Sequence, residues 1–262
     1  MLAKFLAALV LPALVSAASL PTGAWPSSQG TVQYSAAYVV KAGKVFDGGM
    51  KTYERSDIKC NGQAESGSKN AVFLLEPGAT LKNVIIGANQ MEGVHCDNHD
   101  CTLQNVWWSD VCEDAFTIKG GNANSVAKII GGGARYADDK VVQHNGLGTV
   151  SIDGFYVQDF GKLYRSCGNC KNNAQGRKVV VSNVYAVNPK VGLVGINSNY
   201  GDKATLSNIK IKSSKSKVKV CMKFKGNTNG KEPTMIGEGP DGKNCVYSAS
   251  DITTASRMLR ED

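Results

Sequence analysis

Four carboxylates, Glu92, Asp110, Glu113 and Asp114, crowd one short stretch of this 262-residue chain. Carboxylates held close together repel one another unless they are protonated or share a cation. Calcium suits such a set, because it accepts about six to eight oxygen ligands in flexible geometry. Zinc suits it less, since only His95 and His99 lie nearby. Bases follow downstream. Lys140 comes 26 residues after Asp114, Lys162 comes 22 after Lys140, and Arg165 closes the run FGKLYR. If these positions share a face, they form a cation site beside a row of positive groups. Such a row suits a polyanion.

Other chemistries are less well supported. Asp138-Asp139 and Glu113-Asp114 are adjacent pairs. Neighbours on a strand point to opposite faces, so neither pair can serve alone as a glycosidase acid and base. No Ser-His-Asp spacing stands out among His95, His99 and His144. Gly131-Gly132-Gly133 lacks the lysine of a phosphate loop and reads as a tight turn.

The elements that must position these residues repeat along the chain. TLKNVII begins at Thr80, TLQNVWW at Thr102, SVAKIIGGG at Ser125, TVSIDGFYV at Thr149, KVVVSNVYAV at Lys178 and TLSNIKI at Thr205. Successive starts differ by 22, 23, 24, 29 and 27 positions. Glu92 and Asp114 are also 22 apart, as are Leu81 and Leu103, and Asn83 and Asn105. Acids and repeat therefore share a period. No long stretch carries a 3.6-residue apolar stripe.

A drifting period above 20 fits one coil of a right-handed parallel β-helix, in which stacked coils bury a face that none can bury alone. Equivalent positions would then lie roughly 4.8 Å apart. Asn83, Asn105, Asn183 and Asn208 would form a side-chain ladder at a turn. The expectation is one all-β solenoid domain over 18–262. A β-sandwich would show tighter hairpins, and leucine-rich repeats need strand–helix units that are missing. Lys203 to Lys225 alternates lysine with apolar residues and reads as an exposed edge-coil strand, lysines outward. The segment from Gly226 reads as a surface wrap ending in a frayed turn, ASRMLRED.

Residues 1–17 read as a secretory signal. Lys4 precedes an apolar run, and Val15-Ser16-Ala17 is a small-residue cleavage site. The run is too short to span a bilayer. Net charge is +8, or +7 once Lys4 is removed. A basic secreted chain suits an acidic polymer. No common nucleic-acid motif or membrane segment is present, so an acidic polysaccharide is the expected partner of a monomer. Eight cysteines in a secreted chain imply disulfides. Cys96–Cys101, Cys167–Cys170 and Cys221–Cys245 are the natural local pairs, leaving Cys60–Cys112, although sequence alone does not settle connectivity. Cys167-x-x-Cys170 also has zinc-ligand spacing. No Asn-x-Ser/Thr acceptor occurs, so N-glycosylation is not expected.

The blocks EGVHC, CTLQNVWWSDVCEDAFTIKG, GGGARYADDKVVQHNGLGTV and DFGKLYRSCGNC resemble the signatures of secreted microbial pectate lyases of polysaccharide lyase family 3. The likeness runs over roughly residues 35 to 225. It implies a calcium-dependent enzyme that cleaves polygalacturonate by β-elimination. It places metal ligands at Glu92, Asp110, Glu113 and Asp114, and a further acidic site position at Glu65. Position 92 departs from bacterial relatives that have Asp. The resemblance places catalytic groups at Lys140, Lys162 and Arg165. Lys140 is the expected base, with Lys162 or Arg165 as the alternatives. Lys119, Lys140, Lys162 and Arg165 are the expected substrate contacts. The rival readings are a hydrolase on the same solenoid and a non-catalytic polysaccharide-binding module. Calcium dependence, an unsaturated product and the effect of replacing Lys140 separate them.

Overall fold

The computed structural model describes residues 18–64 and 66–256. The expected signal segment, Glu65 and residues 257–262 lie outside the described residues. Among the described residues no helix is long and apolar enough to cross a membrane.

Short β-branched runs prefer the pleated, half-buried surface of a sheet. Here they form a right-handed parallel β-helix, each strand pairing with its equivalent one coil on. The rung through Leu81, Leu103, Ile129, Ile152, Val181 and Leu206 shows the register, each residue lying beside the next. All of them are at most 2% exposed. Burying each such side chain stabilises the fold by about 1.5–3 kcal/mol. Strand alternation turns their neighbours outward.

Two residues after each of these core positions the chain must turn. The turn positions are Asn83, Asn105, Gly131, Gly154, Asn183 and Asn208, with φ between 50° and 70°. Glycine enters this left-handed region freely, and asparagine more readily than most residues. The asparagine ladder forms in two pieces. Asn105 Nδ2 donates to Asn83 Oδ1 at 3.0 Å, and Asn83 Nδ2 donates to Asp47. Asn208 Nδ2 donates to Asn183 Oδ1 at 2.7 Å, and Asn183 Nδ2 donates to Asp153. Gly131 and Gly154 interrupt it, because they supply the turn but no amide.

All four expected disulfides are present: Cys60–Cys112, Cys96–Cys101, Cys167–Cys170 and Cys221–Cys245. The zinc reading of Cys167 and Cys170 is therefore excluded. Two other expectations need correction. The lysine-bearing strand Lys203–Ser213 is not an edge, since Cys245–Val246 and Ile252–Ser256 pair along its far side. Its inward residues Ala204, Leu206, Ile209 and Ile211 need that cover, while its lysines stay outward. The C-terminal segment, expected as a surface wrap, accordingly contributes strands that pair with the solenoid. Thr234–Glu238 adds an antiparallel strand to Lys219–Lys225. Ala255 and Ser256, expected in a frayed turn, lie in the strand Ile252–Ser256.

Gly132 sits at φ 88°, and a Cβ there would collide with the Val106 carbonyl oxygen of the preceding coil. Gly176 has a similar φ of 77° but open space around it. Replacing either by alanine incurs the backbone strain, and only Gly132→Ala adds the collision. We expect Gly132→Ala to cost at least about 2 kcal/mol more than Gly176→Ala in urea unfolding.

Candidate active site

One outward row crosses six coils, and its first four positions carry charge. Asp114 pairs with Lys140, and Lys140 with Lys162. The register that sets Val94 beside Phe116 brings Glu92 alongside Asp114. Beyond Lys162 the row passes through Gly192 to Lys219. The order acid, acid, lysine, lysine is thus realised on adjacent strands.

Ion pairs lock the centre of this row. Lys140 Nζ lies 2.7 Å from Asp139 Oδ2 and 3.5 Å from both Glu113 Oε1 and Asp114 Oδ1. Lys162 Nζ lies 2.6 Å from Asp139 Oδ1. One carboxylate therefore clamps two ammonium groups. Burial opposes the charge on Lys140, but Asp114, Asp139 and Glu113 outweigh it and raise its pKa above the ordinary lysine value. Burial also works against Asp139, yet the two lysines hold its carboxyl below the usual range. Asp114 behaves oppositely. Its burial, reinforced by Glu113 and Glu92, pushes its carboxyl well above the usual range despite Lys140.

Arg165 lies three residues past Lys162, beside Gln143 on one side and Gly195 on the other. It is only 7% exposed. Its guanidinium sits 4.0 Å above the Phe224 ring, and Nη1 donates to Asn197 Oδ1 at 3.1 Å. Burial lowers its pKa to about 10, with Glu232 and Asp202 opposing that shift. Asn197 is itself held through Nδ2, which donates to Ser166 Oγ, the Cys167 carbonyl and Asp202 Oδ2. Asp139, Lys140, Lys162, Arg165, Phe224 and Glu232 line one open cleft of about 180 Å³.

The remaining acids border the cleft. Glu92 is buried and its Oε2 lies 3.1 Å from His95 Nε2. Burial disfavours its charge, but His95 and the backbone N–H of Gly67 bring its pKa below the ordinary value. Asp110 is exposed on the turn before Asp114, where burial and Asp138 raise its carboxyl and Arg135 opposes them. Lys119 follows the strand Asp114–Ile118 and lies near Asp97, whose carboxyl is lowered chiefly by its hydrogen bond with His95 and only slightly by Lys119. It is not among the residues lining the cleft. Glu65 is outside the described residues.

The donor chemistry fits a hard cation: carboxylate oxygens, no thiolate, and a nearby histidine already turned to Glu92. Asp114 Oδ1 is buried with no hydrogen-bond partner, only Lys140 Nζ at 3.5 Å beside it, so it retains capacity to accept an ion. Among the described residues, no three Asp, Glu, His or Cys side chains gather closely enough to form a closed metal cage. An ion at this acidic border would complete its shell with oxygens of water or substrate.

Sequence reasoning missed three residues of this site. In the sequence Asp139 reads only as half of an adjacent acid pair, although its place beside Lys140 and one coil from Lys162 signals a clamp. Asn197 and Phe224 carry no sequence signal, because they reach Arg165 only across two later coils.

The family model described as Pectate lyase matches residues 22–231. Probable pectate lyase E of Neosartorya fischeri is 53% identical over 236 residues, covering 90% of this chain and 87% of that relative. Pectate lyase E of Emericella nidulans is 54% identical over 225 residues, covering 85% of this chain and 84% of the relative. Among solved structures, the catalytic domain of pectate lyase PelI from Erwinia chrysanthemi superposes with a TM-score of 0.71 at 34% identity. That match covers 87% of this chain and 98% of that one. A structure of PelI in complex with tetragalacturonic acid gives 0.70 at 35% identity, covering 86% and 69%.

The Asp139 clamp has a pH signature. Its carboxyl is lowered in the fold, so its stabilisation is present above the unfolded value of about 3.9 and is lost as pH falls through the folded value. Asp139→Asn should melt lower than the native chain at pH 6. That gap should narrow as the pH is taken below about 4, read by thermal unfolding across the series.

Proposed function

The chain belongs to the pectate lyase family and is a polysaccharide lyase; on that premise, we propose that it cleaves α-1,4-linked polygalacturonate by calcium-dependent β-elimination. The product would be an oligogalacturonide with a 4,5-unsaturated end. The observation that carries this reading is the row Asp114–Lys140–Lys162 with Arg165 beside it. It sets carboxylates next to a line of cations. The acidic oligosaccharide in the PelI complex supports the same substrate class.

Glu92, Asp110, Glu113 and Asp114 are the residues we assign to calcium, with Glu65 as a further candidate. Bound there, the ion would supply Lewis acidity toward a galacturonate carboxylate and offset the negative field around Lys140. The side chains perform the rest. Lys162 and Arg165 bind sugar carboxylates, Arg165 by its fork of N–H donors, and Lys119 contributes a more distant positive charge. Their fields favour the negative charge that develops when C5 loses its proton. Lys140, in its neutral form, takes that proton. The C5–H electron pair forms the C4–C5 double bond, the C4–O4 bond breaks, and the leaving oxygen takes up a proton. No water is consumed. A lysine base is mostly protonated at neutral pH, so the optimum lies on the alkaline side.

Arg165 is the second candidate base, because burial brings its pKa down to about 10 while Asn197 and Phe224 hold it still. The signal-like residues 1–17, the four disulfides and the fungal relatives support secretion of a mature chain that starts at residue 18 and acts outside the cell.

The decisive measurement is ultraviolet absorbance of digested polygalacturonate. Absorbance should rise with calcium and stop rising with a chelator. Reducing ends released without absorbance would instead mean hydrolysis. Lys140→Ala should lower kcat by about 10²–10⁴ with its melting transition retained. If Lys140→Ala keeps turnover and Arg165→Lys loses it, Arg165 is the base.

A further inference from the structure

The N-terminal segment is built into the outer face of the solenoid. Residues 18–25 run across a row where Trp107, Gly133, Tyr156 and Tyr185 lie on successive coils. Gly23, at φ 90°, lies against the Tyr156 and Tyr185 rings, where a Cβ would be 3.2 Å from Tyr185. Trp25 meets Trp107 edge-on at 4.9 Å, and the Arg135 guanidinium sits 4.2 Å above the Trp25 ring. Arg135 is fixed in turn, because its Nε donates to the Ser109 carbonyl oxygen at 3.0 Å. The aromatic row and a cation thus grip the later part of this strap.

Its first residue is held by charge geometry. The Ala18 backbone nitrogen lies 2.9 Å from Asp153 Oδ2, in a half-buried position. The other oxygen, Asp153 Oδ1, accepts from Ser182 Oγ at 2.8 Å and Asn183 Nδ2 at 2.7 Å. The carboxylate is therefore oriented from the neighbouring coil, with Oδ2 left for Ala18. Ala18 also packs its methyl over Gly154, where any Cβ would collide with it. The residues just before it, Val15-Ser16-Ala17, have the small side chains that a signal peptidase accepts.

We infer that signal cleavage after Ala17 creates a structural ion pair, in which the new α-ammonium of Ala18 is captured by Asp153 and pins the strap over the aromatic row. While Ala17 is attached, this nitrogen is a neutral amide with one N–H. Hydrolysis of the Ala17–Ala18 peptide bond by water leaves a carboxylate on Ala17 and an amine on Ala18, which protonates. The same 2.9 Å contact then joins opposite charges, and charge-assisted hydrogen bonds are roughly twice as strong as neutral ones. Placing even one extra residue in front would move the charge by about 3.8 Å along the chain. The proposal rests on the secretion reading but not on the assignment of catalytic residues.

Two measurements test it separately. N-terminal sequencing of the secreted protein should read Ala-Ser-Leu-Pro; a different first residue overturns the cleavage site. Independently, the mature chain starting at Ala18 is compared with its Nα-acetylated form, each with Asp153 and with Asp153→Asn. An α-amine raised by Asp153 stabilises the fold below its unfolded pKa of about 7.7–8.0, and that contribution disappears as pH rises through the folded value. At pH 6 the free-amine form should melt about 2–4 °C above the acetylated form. The gap should close at high pH and be absent in Asp153→Asn. Labelling of the α-amine at pH 7 should be about ten-fold slower than in a short peptide of the same first residues, for a pKa raised by about one unit. Equal melting of free and acetylated chains at pH 6, or a gap that survives Asp153→Asn, overturns the ion pair even if the secreted chain starts at Ala18.

Discussion

Parallel stacking in register is the constraint on which this molecule depends. Each side chain lies about 4.8 Å from its equivalent on the next coil. Inward, this lets one rung of Leu, Ile and Val close a core. Outward, it forces like charges together. Two unit charges at that spacing interact by about 3 kcal/mol at an effective dielectric of 20. Lys140 and Lys162 meet this cost by sharing Asp139. Asp114 meets it incompletely, between Glu92 and Lys140, and its carboxyl is driven upward. The acid side of the row thus favours an added cation, and the basic side favours an added anion.

Arg165 adds a different kind of tension. Among the described residues, no carboxylate makes ion-pair contact with it, yet it is nearly buried. Its stem and head fit only because Gly195 and Gly168 flank them. A Cβ at Gly195 would lie 2.9 Å from Cδ, and one at Gly168 2.5 Å from Nη2. A buried, neutral-partnered guanidinium costs stability and is ready for an anion. Behind it, Asn197, Ser166 and Asp202 form a buried polar network that fixes the angle of approach. Packing that would be poor for a structural residue suits a binding one.

A solenoid also has ends, and open ends expose unpaired strand edges. At the first coils Tyr34, Tyr38, Phe46, Tyr53 and Phe73 form an aromatic cluster with ring centroids 5.0–5.9 Å apart. At the last coils Cys221–Cys245 ties the closing segment to the solenoid, and an antiparallel strand lies along Lys219–Lys225. The strap at residues 18–25 covers a flank rather than an end. These three devices use different chemistry, but each limits access to backbone or aromatic surface that stacking alone leaves open.

Much of this was readable from one dimension, because a solenoid writes its third dimension as a period. The spacing of Leu81 and Leu103, of Asn83 and Asn105, and of Asp114, Lys140 and Lys162 was enough to place each on its rung. Nearness along the chain suggested the cysteine pairs, and the structure decided them. What spacing could not supply was depth and contact between unlike rungs. Asp139 as a clamp, Asn197 and Phe224 around Arg165, and the strand pairing of the C-terminal segment all depend on side chains crossing between coils at angles that no period encodes. The sequence by itself determined the coil, its register and the order of charges along the row. Only the tertiary structure decided which of those charges are buried or paired, because desolvation and close contact arise from the packing of all coils together.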